Sequence, residues 1–177
     1  MTLYTIGHST RSYAELVEVL RAWQVTRLID IRSITRSRTN PQFNAPRLVR
    51  QLPTRAIAYE GMVDLGGRRS RSKTADPDRN AGWRVQAFHN YADYAETPAF
   101  ARGLARLLAR SAKETCAIMC AEAVWWRCHR RIVADYALAR GAKVAHIFTA
   151  TKAERATRTP FGKLDRRTRT LRYPPVL

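Results

Sequence analysis

The chain has 177 residues, which fits one domain and is long enough to bury a core without disulfide staples. Its 32 Lys and Arg against 14 Asp and Glu give a formal charge of +18, an excess that favours anionic partners, although a basic surface can also serve solubility alone. Three cysteines and no leader-like start imply no disulfide framework and predict a reducing, cytoplasmic setting, and no 18-residue apolar run predicts a membrane span.

Leu3 to Gly7 is a short apolar run and predicts a strand. Ser12 and Glu15 form a capping box ahead of Leu16, Leu20 and Trp23 at helical spacing. Thr26 to Ile31 predicts a second strand, after which Pro41 and Pro46 punctuate a polar stretch before a short helix through Leu52. Ala56 to Tyr59 is a weaker strand candidate. Gly66 to Gly82 has no periodicity and almost no apolar content, and is expected to be a mobile basic loop.

Two helical stretches follow, one over about Trp83 to Ala95 and one capped by Thr97 with Pro98 in its first turn. Phe100, Leu104, Leu107 and Leu108 give the second its buried stripe. Thr115 to Cys120 reads as a fully buried strand, and the helix after it carries Ile132, Val133, Tyr136 and Leu138 and stops at Gly141. Lys143 to Thr149 supplies one more strand. The alternation predicts a three-layer, Rossmann-like α/β fold: a mainly parallel sheet of about five strands, with helices on both faces. Residues 1–150 are read as that domain, and 151–177 as a basic C-terminal extension packing on it or trailing from it.

Open parallel sheets bind ligands beyond the carboxyl ends of their strands. That rule gathers His8 and Ser9 after the first strand, Arg32 after the second, Cys120 and Glu122 after the fourth, and His146 near the end of the last. Asp30 lies inside an apolar strand, where an acid needs a partner; pairing with Arg32 or His8 and a catalytic role are both open.

The densest chemistry is the segment from Cys120 to Arg131, which runs from a strand end into the first turns of a helix. A helix N-terminus and nearby Arg127, His129 and Arg130 should lower a thiol pKa, which makes Cys120 the candidate nucleophile and leaves Cys116 as packing. Glu122 or His8 would move protons, with Asp30 as a further catalytic candidate, while Arg32, Arg127, Arg130 and Ser9 would hold an anionic group. Trp125 and Trp126 are core anchors or a stacking platform for a base. Cys120, Cys128, His129 and His8 could ligate zinc, but Cys-x7-Cys-His lacks the tight Cys-x2-Cys spacing of structural sites, so no metal site is assigned. The phosphate-binding Cys-x5-Arg loop of tyrosine phosphatases is one residue shorter than the Cys-x6-Arg found here, and it needs small residues where this chain has Glu122 and two tryptophans.

Thr5-Ile-Gly-His-Ser-Thr10, Asp30-Ile-Arg32, Ser37-Arg38 with Phe43-Asn44, Leu65-Gly-Gly-Arg68, Tyr91-Ala-Asp-Tyr94, Cys120-Ala-Glu122 and Cys128-His-Arg130 occur in this order. Together they resemble the domain of unknown function 488 family, from Thr5 to about Ile147. The resemblance implies an α/β fold and a motif set that includes His8, Asp30, Arg32, Cys120, Glu122, Cys128 and His129, and it implies no particular reaction.

Two functional classes stand. One is an enzyme with a cysteine-centred site for an anionic substrate; the other is a non-catalytic nucleic-acid-binding module whose Cys/His cluster is structural or metal-binding. The expected partners are nucleic acid or a phosphorylated small molecule, no membrane partner is expected, and the residues point to no particular organic cofactor.

Overall fold

Short apolar runs alternating with amphipathic segments give the expected three-layer architecture in the computed structural model, which describes residues 1–176. Leu177, the last residue of the expected extension, lies outside the described residues. Strands β1 (Thr2–Gly7), β2 (Arg27–Asp30), β3 (Ala58–Gly61), β4 (Cys116–Cys120) and β5 (Lys143–Ile147) are parallel. A sixth, β6 (Ala153–Arg155), adds to β5 antiparallel, and the sheet order is β3-β2-β4-β1-β5-β6.

Successive side chains of a strand point to opposite faces. Leu3, Ile29, Ile31, Ile118 and Val144 share one buried cluster with α3 (Gln86–Tyr94), α4 (Pro98–Ser111) and α5 (Arg130–Ala139). Ile6, Leu28, Ala117, Met119 and Ile147 share the other with α1 (Tyr13–Ala22) and α2 (Ala45–Gln51). With both faces covered, a central strand has no solvent side, which is why β4 reads Cys-Ala-Ile-Met-Cys.

Local chemistry sets the boundaries. Ser12 and Glu15 make the reciprocal capping box of α1, Thr97 accepts from the Phe100 N–H at the start of α4, and Gly141, at φ +86°, follows the end of α5. β3 begins later than the sequence suggests because a short 3-10 turn at Pro53–Arg55 ends on Ala56 in the left-handed region, at φ 58°.

The stretch expected to be a mobile basic loop is a loop without helix or strand, anchored at two points. Arg69 donates to the carbonyls of Val63 and Gly66 and lies 3.7 Å over the Tyr94 ring. Asn80 is fully buried, donates to Asp93 and Glu96, and accepts from the Tyr173 N–H. These polar anchors carry no periodic signature in sequence.

The C-terminal residues continue the fold: β6 joins the sheet, and β7 (Lys163–Asp165) and β8 (Thr170–Arg172) form an antiparallel hairpin. Leu171 and Tyr173 are buried in the core cluster that includes α5, where the Tyr173 hydroxyl donates to Asp135 at 2.9 Å. Among the described residues, no helix is long and apolar enough to cross a membrane.

The topology opens a crevice at one edge of the sheet. β1 and β4 are neighbours, but β1 connects through α1 to β2 while β4 connects through α5 to β5, over opposite faces. Connections diverging from adjacent strands open a crevice at their carboxyl ends.

Candidate functional site

His8, just after β1, and Cys120, the last residue of β4, lie side by side: the His8 N–H donates to the Cys120 carbonyl at 2.9 Å, and the Ser9 N–H to that of Ala121 at 3.0 Å. Gly7 permits this closeness, because a Cβ there would collide with the Glu122 carbonyl. A cavity of about 480 Å³ opens at this edge. Cys120, Glu122, Cys128, His129, His8 and Arg32 line it together with Arg36, Arg68 and Arg127, and Ile34, Val85 and Phe88 supply apolar wall.

Cys120 comes from the end of β4, while Cys128 and His129 immediately precede α5. His129 Nδ1 lies 3.5 Å from Cys128 Sγ and 3.9 Å from Cys120 Sγ, and the three donor atoms all fall within 4.8 Å of one another. On the other side of the ring, Nε2 is 2.9 Å from the Ile31 carbonyl. A carbonyl only accepts, so Nε2 carries the hydrogen and Nδ1 of the neutral ring offers its lone pair to the sulfurs.

Arg130 is buried beneath this cluster. Its backbone N–H and Nε donate to Cys128 Sγ at 3.4 and 3.3 Å, and its Nη2 to the Glu122 carbonyl at 2.6 Å. Burial opposes a Cys128 thiolate, but the hydrogen bond from Cys120 and the charge and N–H groups of Arg130 outweigh it and pull the Cys128 pKa below the ordinary thiol value. Cys120, as donor in that bond and largely buried, is pushed up. This corrects the expectation for Cys120: Cys128, not Cys120, holds the helix N-terminus beside Arg130. Arg130 accordingly steadies a sulfur and does not line the cavity. Cys116 lies in the core, fully buried, where burial pushes its thiol up to about 11.

On the opposite face of the sheet, Asp30 is paired with Arg32. Its Oδ1 accepts from Arg32 Nε at 2.9 Å and from the Arg32 N–H at 3.1 Å, and its Oδ2 from Arg32 Nη2 at 2.6 Å and from the Tyr59 hydroxyl at 2.7 Å. Arg32 also donates to the Phe43 carbonyl, and its Nη1 is 3.3 Å from His8 Nε2. Arginine only donates, so His8 Nε2 accepts and Nδ1, 2.8 Å from the Ser9 carbonyl, carries the hydrogen. Burial, helped by the charges of Arg32 and Arg11, lowers the His8 pKa despite the Ser9 hydrogen bond and Asp30. Arg32 is thus committed to its neighbours, whereas Arg36, Arg68 and Arg127 are exposed and their guanidinium groups meet no hydrogen-bond or ion-pair partner among the described residues.

The tryptophans lie away from the cavity. Trp125 stacks on His146 at 4.3 Å and donates to Glu154, and the exposed Trp126 meets it edge-on. Ser9 lies beside the site without lining it, in the left-handed region at φ 50°. Arg36 and Phe88 were not singled out from sequence; they reach the cavity from a coil and from α3, and neither has a local signature. Arg68 could have been found, since it closes the Leu65-Gly-Gly-Arg68 motif.

A search of curated proteins and one of solved structures each return no match. The family model described as Domain of unknown function DUF488 matches residues 12–137, well over half of the chain, and this span holds Asp30, Arg32, Cys120, Glu122, Cys128 and His129. The chain belongs to the DUF488 family.

Proposed function

We propose that the protein is an enzyme that binds an anionic, nucleotide-like substrate in the cavity beyond β1 and β4, with Cys120, Cys128 and His129 as its reactive centre. The observation that carries this is the meeting, in one cavity, of that cluster with three arginines whose guanidinium groups meet no partner among the described residues. Basic groups converging on a concave surface reinforce one another's field and concentrate anions. The cavity volume, about 480 Å³, falls in the range of small-molecule sites, and Val85 and Phe88 offer an apolar wall for a flat ring.

Roles divide by what each side chain already touches. Arg36, Arg68 and Arg127 are free to take the anion. Glu122 is exposed at the rim and is the proton-transfer candidate, while His8, with both ring nitrogens engaged, positions Arg32 and the loop. Calorimetric titration of nucleoside monophosphates and short oligonucleotides, at two salt concentrations, tests the proposal. Expected is binding that weakens with salt and is lost in the Arg68→Ala/Arg127→Ala double variant. No binding at low salt refutes it, and oligonucleotide binding undiminished in the double variant moves the anion to the outer surface and refutes the cavity.

A further inference from the structure

We propose that Cys120, Cys128 and His129 bind one divalent metal ion of the zinc class, with its fourth coordination position open to the cavity. The site is the one named above as the reactive centre, so the inference rests on that reading for its role but not for its existence.

Geometry comes first. Zinc bonds of about 2.3 Å to sulfur and about 2.0–2.1 Å to nitrogen, at a tetrahedral angle, hold the two donors roughly 3.5 Å apart. The observed separations from His129 Nδ1 are 3.5 Å to Cys128 and 3.9 Å to Cys120, and all three donor atoms lie within 4.8 Å of one another, so an ion fits between them after the side chains close slightly around it. Three protein ligands with one position left open is the arrangement of catalytic zinc sites, whereas structural sites are closed by four.

The surroundings agree. A metal-ligating histidine characteristically gives its second ring N–H to a carbonyl or carboxylate, which fixes the tautomer; His129 gives Nε2–H to Ile31 and turns Nδ1 toward the sulfurs. Cys128 Sγ accepts two N–H bonds from Arg130, the support a coordinating thiolate needs in a buried place. Gly67 leaves room for the imidazole, since a Cβ there would overlap the ring.

His8, the other candidate ligand by sequence, is excluded because both its nitrogens are engaged by Ser9 and Arg32. The spacing Cys-x7-Cys-His lacks a knuckle because no knuckle is used: one ligand ends a strand and two precede a helix, so the tertiary fold assembles the set. Both sulfurs coordinate as thiolates, so metal entry releases to solvent each thiol proton that Cys120 and Cys128 still carry and leaves all oxidation states unchanged.

The test is a zinc and cobalt titration of the full chain after chelator treatment, with bound metal measured by elemental analysis and by thiolate-to-cobalt charge-transfer absorption. One equivalent per chain is expected. Cys120→Ser, Cys128→Ser and His129→Ala should each weaken binding by at least about 100-fold, the upper end of what loss of an outer-shell partner alone costs, and Cys116→Ser should leave it unchanged. Should a variant fail to fold, iodoacetamide labelling of the wild type replaces it: zinc should protect Cys120. No metal uptake, or no protection, overturns the proposal. Nucleotide binding that persists without metal uptake would sink the metal site and spare the anion cavity; metal uptake without anion binding would do the reverse.

Discussion

Asp30 and Arg32 form a two-point ion pair, Nε to Oδ1 at 2.9 Å and Nη2 to Oδ2 at 2.6 Å, with both side chains buried at the carboxyl end of β2. Two residues apart, their side chains leave the extended chain on the same face, where the long arginine folds back onto the carboxylate. Removing one partner of a buried pair leaves a charge without compensation, which costs about 3–5 kcal/mol. Asp30→Ala should lose stability of that order in urea unfolding. Tyr59→Phe deletes only one donor to the same carboxylate and should cost about 1.5–3 kcal/mol, as a hydrogen bond to a charged group does. Equal losses in the two variants would show that Arg32 finds another partner.

Gly67 lies against the His129 ring, where an added Cβ would overlap Nδ1 and its neighbouring atoms. Gly67→Ala should push the imidazole off the sulfurs at a stability cost of about 1–3 kcal/mol, the usual range for overpacking. The fold has no other need for glycine here, since Gly67 has no positive φ. Circular dichroism of the variant should match the wild type, while NMR shifts of His129 should move. An unmoved His129 signal would show that the loop, not the ring, gives way.

Much of this arrangement was legible in the sequence where chemistry and chain order coincide. The strand ends at His8 and Cys120, the caps at Ser12 and Thr97, and the burial of Cys116 follow from periodicity and from the rule for parallel sheets. What escaped was pairing through space. Nothing in the order of residues tells that Arg32 would be consumed by Asp30 and Phe43, or that Arg130 would serve Cys128 and not a ligand. Which of two thiols is lowered depends on which one accepts from the other and from Arg130, and Cys128 does both. The anchoring of the basic loop escaped for a related reason: one buried asparagine, Asn80, pins it to α3 and to the C-terminal segment.

Tyr173 shows that the C-terminal segment is integral to the core. Its ring packs against Trp83 and Phe161 at 5.1 and 5.9 Å, and its hydroxyl shares Asp135 with the Thr159 N–H. Tyr173→Ala should cost about 3–5 kcal/mol, as large aromatic truncations do. Tyr173→Phe removes one hydrogen bond to a charged group and should cost about 1.5–3 kcal/mol. Denaturant unfolding followed by tryptophan fluorescence reports both, because Trp83 is buried beside this ring. A Tyr173→Ala protein as stable as the wild type would mean that the segment merely rests on the surface.

His146 gives the fold a defined acid sensitivity. It is 2% exposed in β5, its ring stacked on Trp125 and its Nδ1 2.7 Å from the Thr5 hydroxyl. Burial, followed by the charge of Arg130, holds its pKa down at about 4. In the unfolded chain a histidine titrates near 6.5. Between pH 6.5 and 4 the unfolded chain therefore binds a proton that the folded protein refuses, so stability is full above this window and falls as pH drops through it. At about 1.36 kcal/mol per pH unit the loss approaches about 3 kcal/mol. His8, also depressed, contributes in the same direction. His146→Gln keeps a polar partner for Thr5 and cannot titrate, so its stability should fall less steeply than that of the wild type from pH 7 to 4.5 in urea unfolding. Equal slopes would show that His146 takes up its proton without leaving the fold.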